Sequence, residues 1–195
     1  MSKVANDIVL QLIADIETGR SPSGALFEAL HFLWFNSCPE EQGKLEAILK
    51  NLNDRGIRSH LSEIKAFPFP SDSARKVVLE TVSAIESDTV SSPSDAIAEA
   101  AAAGKKFGLD PKAFMRPVMQ WLDDEIRKVL PKLKEHPFVD PYGSAQEQER
   151  GRRRKLSPMF ELTFVFLNTS TTLSSKLYES YQENIHAYLS SSHPM

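Results

Sequence analysis

Residues 22–35 read PSGALFEALHFLWF, and this stretch decides the fold class. Its apolar side chains lie on nearly every side of a helical wheel, a pattern typical of a helix that is buried all around. Ser21 and Pro22 add a capping hydroxyl followed by proline at the first helical position. We therefore predict a central, most buried helix here, against which other helices pack.

Helical periodicity recurs along the chain on both sides of this central stretch. Apolar residues repeat at helical spacing in six further segments, at about 3–18, 37–56, 71–85, 92–108, 110–130 and 157–189. The pattern predicts an all-α protein: a single-domain multi-helix bundle of about seven helices spanning residues 1–195. We detect no internal repeat in the sequence.

Local signals mark the expected ends and breaks of these helices. Ser37 and Glu40 have the spacing of a capping box that would open the third helix. Gly56 is placed to end the same helix. Pro117 and Pro131 should each kink or interrupt the sixth helix, because proline removes a helical hydrogen bond and clashes with the preceding turn.

Residues 136–157 break the helical pattern and predict a long mobile loop. The second half of this loop carries a basic run made of Arg150, Arg152, Arg153, Arg154 and Lys155. Ser157, directly after it, fits a phosphorylation site at a helix N-terminus. Farther on, residues 160–167 fit either a helix or a strand, and we prefer a helix because no partner strand is evident.

Composition excludes several classes of protein. The net charge of −3 gives no global attraction to nucleic acid or to an anionic membrane. Cys38 is the one cysteine, so an intramolecular disulfide and a zinc site of several thiolates are both excluded. The N-terminal residues lack a signal-peptide pattern, and the longest apolar runs are too short to cross a bilayer. We expect a cytoplasmic protein that does not insert into membranes.

Two Glu-x-x-His spacings could hold a metal ion. Glu28 with His31, and Glu183 with His186, would each share one face of a helix. Carboxylate-bridged di-iron or manganese bundles use two such pairs, and His31 alone could bind haem. Such pairs also arise readily by chance in a chain rich in glutamate. Our preferred interpretation is that they are ordinary helix-edge residues and that the protein has no cofactor.

No phosphate-binding loop, dinucleotide fingerprint, zinc-protease motif or nucleophile elbow is present in the sequence. The leading hypothesis is therefore a non-catalytic protein-interaction module of the inhibitor, immunity-factor or adaptor type. Its expected contact anchors are the Phe67–Pro70 connector and three tyrosines near the C-terminus, Tyr178, Tyr181 and Tyr188. The alternatives are a helical-bundle metal or haem enzyme, and nucleic-acid binding through the basic loop. The sequence leaves the oligomeric state open.

Overall fold

The computed structural model describes residues 2–142, and every regular element in that range is helical. The predicted all-α class is confirmed. Seven α-helices occur among the described residues, and a short 3-10 turn at Lys105–Phe107 extends the sixth. Their bounds are α1 Lys3–Glu17, α2 Pro22–Phe35, α3 Pro39–Ser59, α4 Leu61–Lys65, α5 Asp72–Glu86, α6 Pro93–Gly104 and α7 Pro111–Glu135.

The predicted capping box at the start of α3 is wrong. Pro39 takes the first helical position, so Cys38 is the N-cap residue, and no side chain caps this helix. Ser37 instead has a φ of 53° and closes the end of α2. The backbone N–H of Cys38 donates to the carbonyl of Leu33 at 2.9 Å, which completes that turn.

The predicted end of α3 at Gly56 is also wrong, because the helix continues to Ser59. Gly56 is buried against α7: a Cβ atom placed on it would lie 3.3 Å from the Cβ of Trp121. A helix can therefore carry glycine in its interior where a neighbouring helix comes close.

Helix α7 runs without a break through Pro117 and Pro131, so the predicted interruptions do not occur. Buried apolar side chains lie within one turn on both sides of each proline, and they hold the helix in place where a hydrogen bond is missing. These residues are Phe114, Val118, Val129 and Leu133.

The first residues of the predicted long loop, 136–142, form turns that are attached to α3 and α7. The amide of Asn51 donates to Asp140 at 2.7 Å, and the Arg55 guanidinium lies 3.8 Å from the centre of the Tyr142 ring. Phe138 is buried. The rest of the predicted loop and the helix-or-strand segment 160–167 lie outside the described residues.

The described residues form two units of the same design, α1–α2–α3 and α5–α6–α7. Each unit has a first helix of 15 residues, a second helix opened by Ser-Pro-Ser, and a long third helix that begins at a proline. Four of the five buried residues of α1 have a buried counterpart in α5 at one constant spacing along the chain, as the pairs Ala5 and Ala74, Val9 and Val78, Ile13 and Val82, and Ile16 and Ile85. The two units therefore share one design, a similarity that the search of the sequence for repeats does not detect.

The turns of the two units match as well. Among the described residues, positive φ angles occur at the equivalent position after each first helix and after each second helix, at Gly19 (105°), Asp88 (55°), Ser37 (53°) and Gly108 (88°). The residue after each of these donates its N–H to a carbonyl five residues earlier, in the bonds Arg20–Asp15, Thr89–Ala84, Cys38–Leu33 and Leu109–Gly104. A left-handed backbone conformation is uncommon, so its occurrence at equivalent turns of both units supports an internal duplication.

The packing of the helices is also paired. The long helices α3 and α7 lie against each other, and α1 packs on α2 as α5 packs on α6. The second helix of each unit contacts both long helices. The contacts of the two units are therefore largely reciprocal, with the α3–α7 contact between them.

Each long helix caps the second helix of the other unit. The Asp123 carboxylate in α7 accepts the Ser23 N–H at 2.7 Å and the Ser21 hydroxyl at 3.2 Å, at the start of α2. The Asp54 carboxylate in α3 accepts the Ser94 N–H at 2.7 Å, at the start of α6. Burial raises the pKa of the Asp54 carboxyl, and the hydrogen bonds from Ser94 oppose that rise. The two units are thus linked by reciprocal polar contacts in addition to apolar packing.

We expect Asp123→Ala to lower the free energy of unfolding by about 1–2 kcal/mol, because it removes the acceptor of a buried backbone N–H. Asp124→Ala is the matched control: this neighbour is exposed and should change stability by less than about 0.5 kcal/mol. Urea unfolding of both variants measures the difference. Equal effects would show that the contact between Asp123 and the start of α2 contributes nothing.

Candidate functional site

The last turn of α2 is the most exposed aromatic surface among the described residues. Most of α2 is buried as predicted, at Pro22, Ser23, Ala25, Leu26, Phe27, Ala29, Leu30, Phe32 and Leu33. Trp34, however, is 62% exposed and Phe35 is 49% exposed. The prediction of a helix buried on all sides is therefore wrong for its last turn.

Three rings gather at this point: His31, Trp34 and Phe35, together called the α2 aromatic end. The His31 and Phe35 ring centres are 4.5 Å apart with planes at 80°, and those of Trp34 and Phe35 are 4.9 Å apart at 71°. Both are edge-to-face contacts, the geometry that aromatic quadrupoles favour. The rings support one another, so the surface that they form is preorganised.

His31 is the half-buried member of the α2 aromatic end. Burial lowers the pKa of its imidazole, and the Glu28 carboxylate one turn away partly opposes that effect. The ring is therefore mainly uncharged at neutral pH. The α2 aromatic end consequently presents apolar and aromatic surface without a positive charge from His31.

No lysine or arginine occurs from residue 21 to residue 43, a stretch that contains all of α2 and the start of α3. The end of α2 also carries the partial negative charge of the last helical carbonyl groups. One of these, the Phe32 carbonyl, accepts the side-chain amide of Asn36 at 2.8 Å. The rings thus lie at a helix end within a stretch that contains no lysine or arginine of its own.

The second unit provides an internal comparison. When the Ser-Pro-Ser starts and the following left-handed turns are matched, Trp34 and Phe35 correspond to Lys105 and Lys106, both exposed. His31 corresponds to Ala102. The same fold therefore builds this helix end without aromatic rings, so the rings are not a requirement of the fold.

The predicted metal-binding pair Glu28 and His31 lies on α2, but its carboxylate is engaged elsewhere. Arg20 forms an ion pair with Glu28 and a second one, at 3.1 Å, with Asp15. Within residues 2–142 no three His, Cys, Asp or Glu side chains are grouped to hold a metal ion. Glu183 and His186 lie outside the described residues, so whether the two pairs meet stays a prediction.

The other predicted functional residues divide between internal packing and the undescribed part of the chain. The rings of Phe67 and Phe69 lie 5.1 and 6.3 Å from the Phe114 ring, so the connector covers the core. The remaining predicted residues lie outside the described part: Arg150, Arg152, Arg153, Arg154, Lys155, Ser157, Tyr178, Tyr181 and Tyr188.

Trp34 and Phe35 were missed as surface residues because the uniform apolar character of residues 22–35 predicts burial at every position. A signal was nevertheless available. Aligning the two Ser-Pro-Ser segments places Lys105 and Lys106 opposite these aromatics, and two adjacent lysines indicate an exposed helix end.

Comparisons with protein-family models, curated proteins and solved structures find no match to this chain. In the part of the chain that the structure describes, no helix has both the length and the apolar character needed to cross a membrane.

Proposed function

We propose that this protein is a non-catalytic helical interaction module, of the inhibitor, immunity-factor or adaptor type, that binds a partner protein through the α2 aromatic end. A cytoplasmic location and a regulatory role are part of the same proposal. The observation that carries it is the pair of exposed rings, Trp34 and Phe35, at a helix end where the second unit of the same fold has lysines.

The energetics of aromatic side chains support this use of the α2 aromatic end. Exposed tryptophan and phenylalanine gain from being removed from water, and tryptophan is among the residues that dominate binding energy at protein interfaces. The contacts of Phe35 with both other rings restrict their movement before binding. A partner would therefore lose little side-chain entropy when it orders this surface.

The test is site-specific cross-linking in the cells that produce the protein. A photo-reactive phenylalanine analogue replaces Phe35 in one variant and Phe107 in the control variant, since Phe107 is exposed to a similar degree, 44%, at the end of α6. We expect one discrete cross-linked protein from position 35 and none of that mass from position 107. Trp34→Ala in the position-35 variant should weaken the capture about 30-fold, the effect of a hot-spot residue.

Two outcomes would contradict the proposal. Equal cross-linking from positions 35 and 107 would show that the α2 aromatic end has no preference for a partner. Absence of any product from position 35, in cells where the protein is folded and abundant, would show that this surface is not used for binding.

A further inference from the structure

We infer that the α2 aromatic end recognises a cationic segment of its partner, in which an arginine side chain stacks on Trp34. This inference rests on the proposed function and deepens it by naming the chemistry of the partner.

The first argument is the nature of the exposed surface. Trp34 has the greatest exposure among the large hydrophobic side chains of the described residues, and an indole face attracts cations more strongly than any other side-chain ring. The planar guanidinium group of arginine stacks on such faces and loses little hydration in doing so. The chain already uses this contact elsewhere, since Arg55 lies 3.8 Å from the centre of the Tyr142 ring.

The second argument is charge. Residues 21–43 include three acidic side chains: Glu28 pairs with Arg20, Glu40 pairs with Lys44 at 2.8 Å, and Glu41 accepts the backbone N–H of Ser2 at 2.7 Å. These ion pairs leave the carbonyl end of α2 as the local negative pole, in a stretch of sequence without lysine or arginine. Backbone N–H groups already bond to the last carbonyls of α2, so a cation from a partner would gain from the helix dipole alone, and an acidic segment would be repelled by it.

The third argument is the comparison between the two units. At the end of α6 the chain itself places cations, Lys105 and Lys106, where they complement the helix dipole. At the equivalent end of α2 the chain places aromatic rings instead. We infer that at this end the cation comes from the partner.

The test uses three synthetic peptides of the same length, in which a central residue pair is arginine, citrulline or glutamate. Citrulline keeps the shape and hydrogen-bonding capacity of arginine but has no charge. Binding is measured by the protection of tryptophan fluorescence from acrylamide in the full chain. The protected residue is Trp34, because Trp121 is only 6% exposed and is already shielded.

We expect the arginine peptide to protect Trp34 in a saturable way and the citrulline peptide to bind about tenfold more weakly. The glutamate peptide should not bind. Phe35→Ala should weaken the arginine peptide, because Phe35 supports the Trp34 ring, whereas Phe107→Ala should leave its affinity unchanged.

Equal binding of the arginine and citrulline peptides would overturn the inference and leave the proposed function standing, with an apolar partner segment. Preferential binding of the glutamate peptide would overturn it as well. Protection that depends on protein concentration without peptide would identify a second copy of the chain as the occupant, and would also overturn it. If the arginine peptide does not protect Trp34, the inference is overturned. The proposed function is overturned only if cross-linking at position 35 is absent as well.

Discussion

Gly56→Leu is expected to lower the free energy of unfolding by about 3 kcal/mol or more, the upper range for overpacking a close contact. A Cβ at this position would already lie 3.3 Å from the Trp121 Cβ and 3.5 Å from the Trp121 carbonyl carbon and oxygen. These atoms are the Cβ and the backbone carbonyl group of Trp121, so no side-chain rotation can move them away. The remaining atoms of leucine would force α3 and α7 apart.

Gly43→Leu in the same helix is the matched control. Gly43 is exposed, and nothing lies within 4 Å of a Cβ placed there. Because leucine favours a helix more than glycine does, this variant should gain roughly 0.5–1 kcal/mol. Chemical denaturation of the two variants measures the contrast. Similar stabilities would mean that the close contact between the long helices is absent in solution.

Phe114→Ala is expected to cost about 3–5 kcal/mol, the usual range for removing a buried aromatic ring. Phe114 is 1% exposed, and its ring meets those of Phe67 and Phe69 from the connector between the two units. The substitution would therefore open a cavity under the connector and remove the surface on which it packs.

The control for this variant is Phe107→Ala, which removes an exposed ring and should change the free energy of unfolding by less than about 0.5 kcal/mol. Thermal and urea unfolding of the two phenylalanine variants would check the prediction. A loss below about 1 kcal/mol at Phe114 would show that the connector does not cover the core.

The sequence predicted the helical class and the start of several helices, because these depend on local chemistry. Ser21 and Ser92 each accept the N–H of the third residue that follows, as a capping serine before proline should. Signals that depend on a neighbouring helix were misread. Gly56 was interpreted as a helix end, although the contact with Trp121 explains the glycine.

The internal duplication was missed for a similar reason. Outside the Ser-Pro-Ser starts, the two units share mainly the apolar character of their buried positions, as at Ile13 and Val82. Such a pattern is common to most helices and does not reveal a repeat by itself. Paired turns and reciprocal contacts, which only the structure shows, identify it.

The candidate site was predictable only in part. His31 was singled out, but as a possible metal or haem ligand, whereas the structure places it among the rings of the α2 aromatic end. The exposure of Trp34 and Phe35 depends on where the neighbouring helices stop covering α2. That boundary is set by packing and leaves no mark within residues 22–35 themselves; its sequence signal lies in the second unit, at Lys105 and Lys106.

The most direct test of the proposal that these rings serve binding and not folding is the free energy of unfolding of the double variant Trp34→Lys, Phe35→Lys. This variant copies the end of α6 onto the end of α2. A change of about 2 kcal/mol or less is predicted, because Trp34 is largely and Phe35 half exposed, only the ring–ring contacts are lost, and lysines suit a helix C-terminus. A loss of about 3 kcal/mol or more, as for core aromatic residues, would contradict it by showing that the fold itself needs the rings.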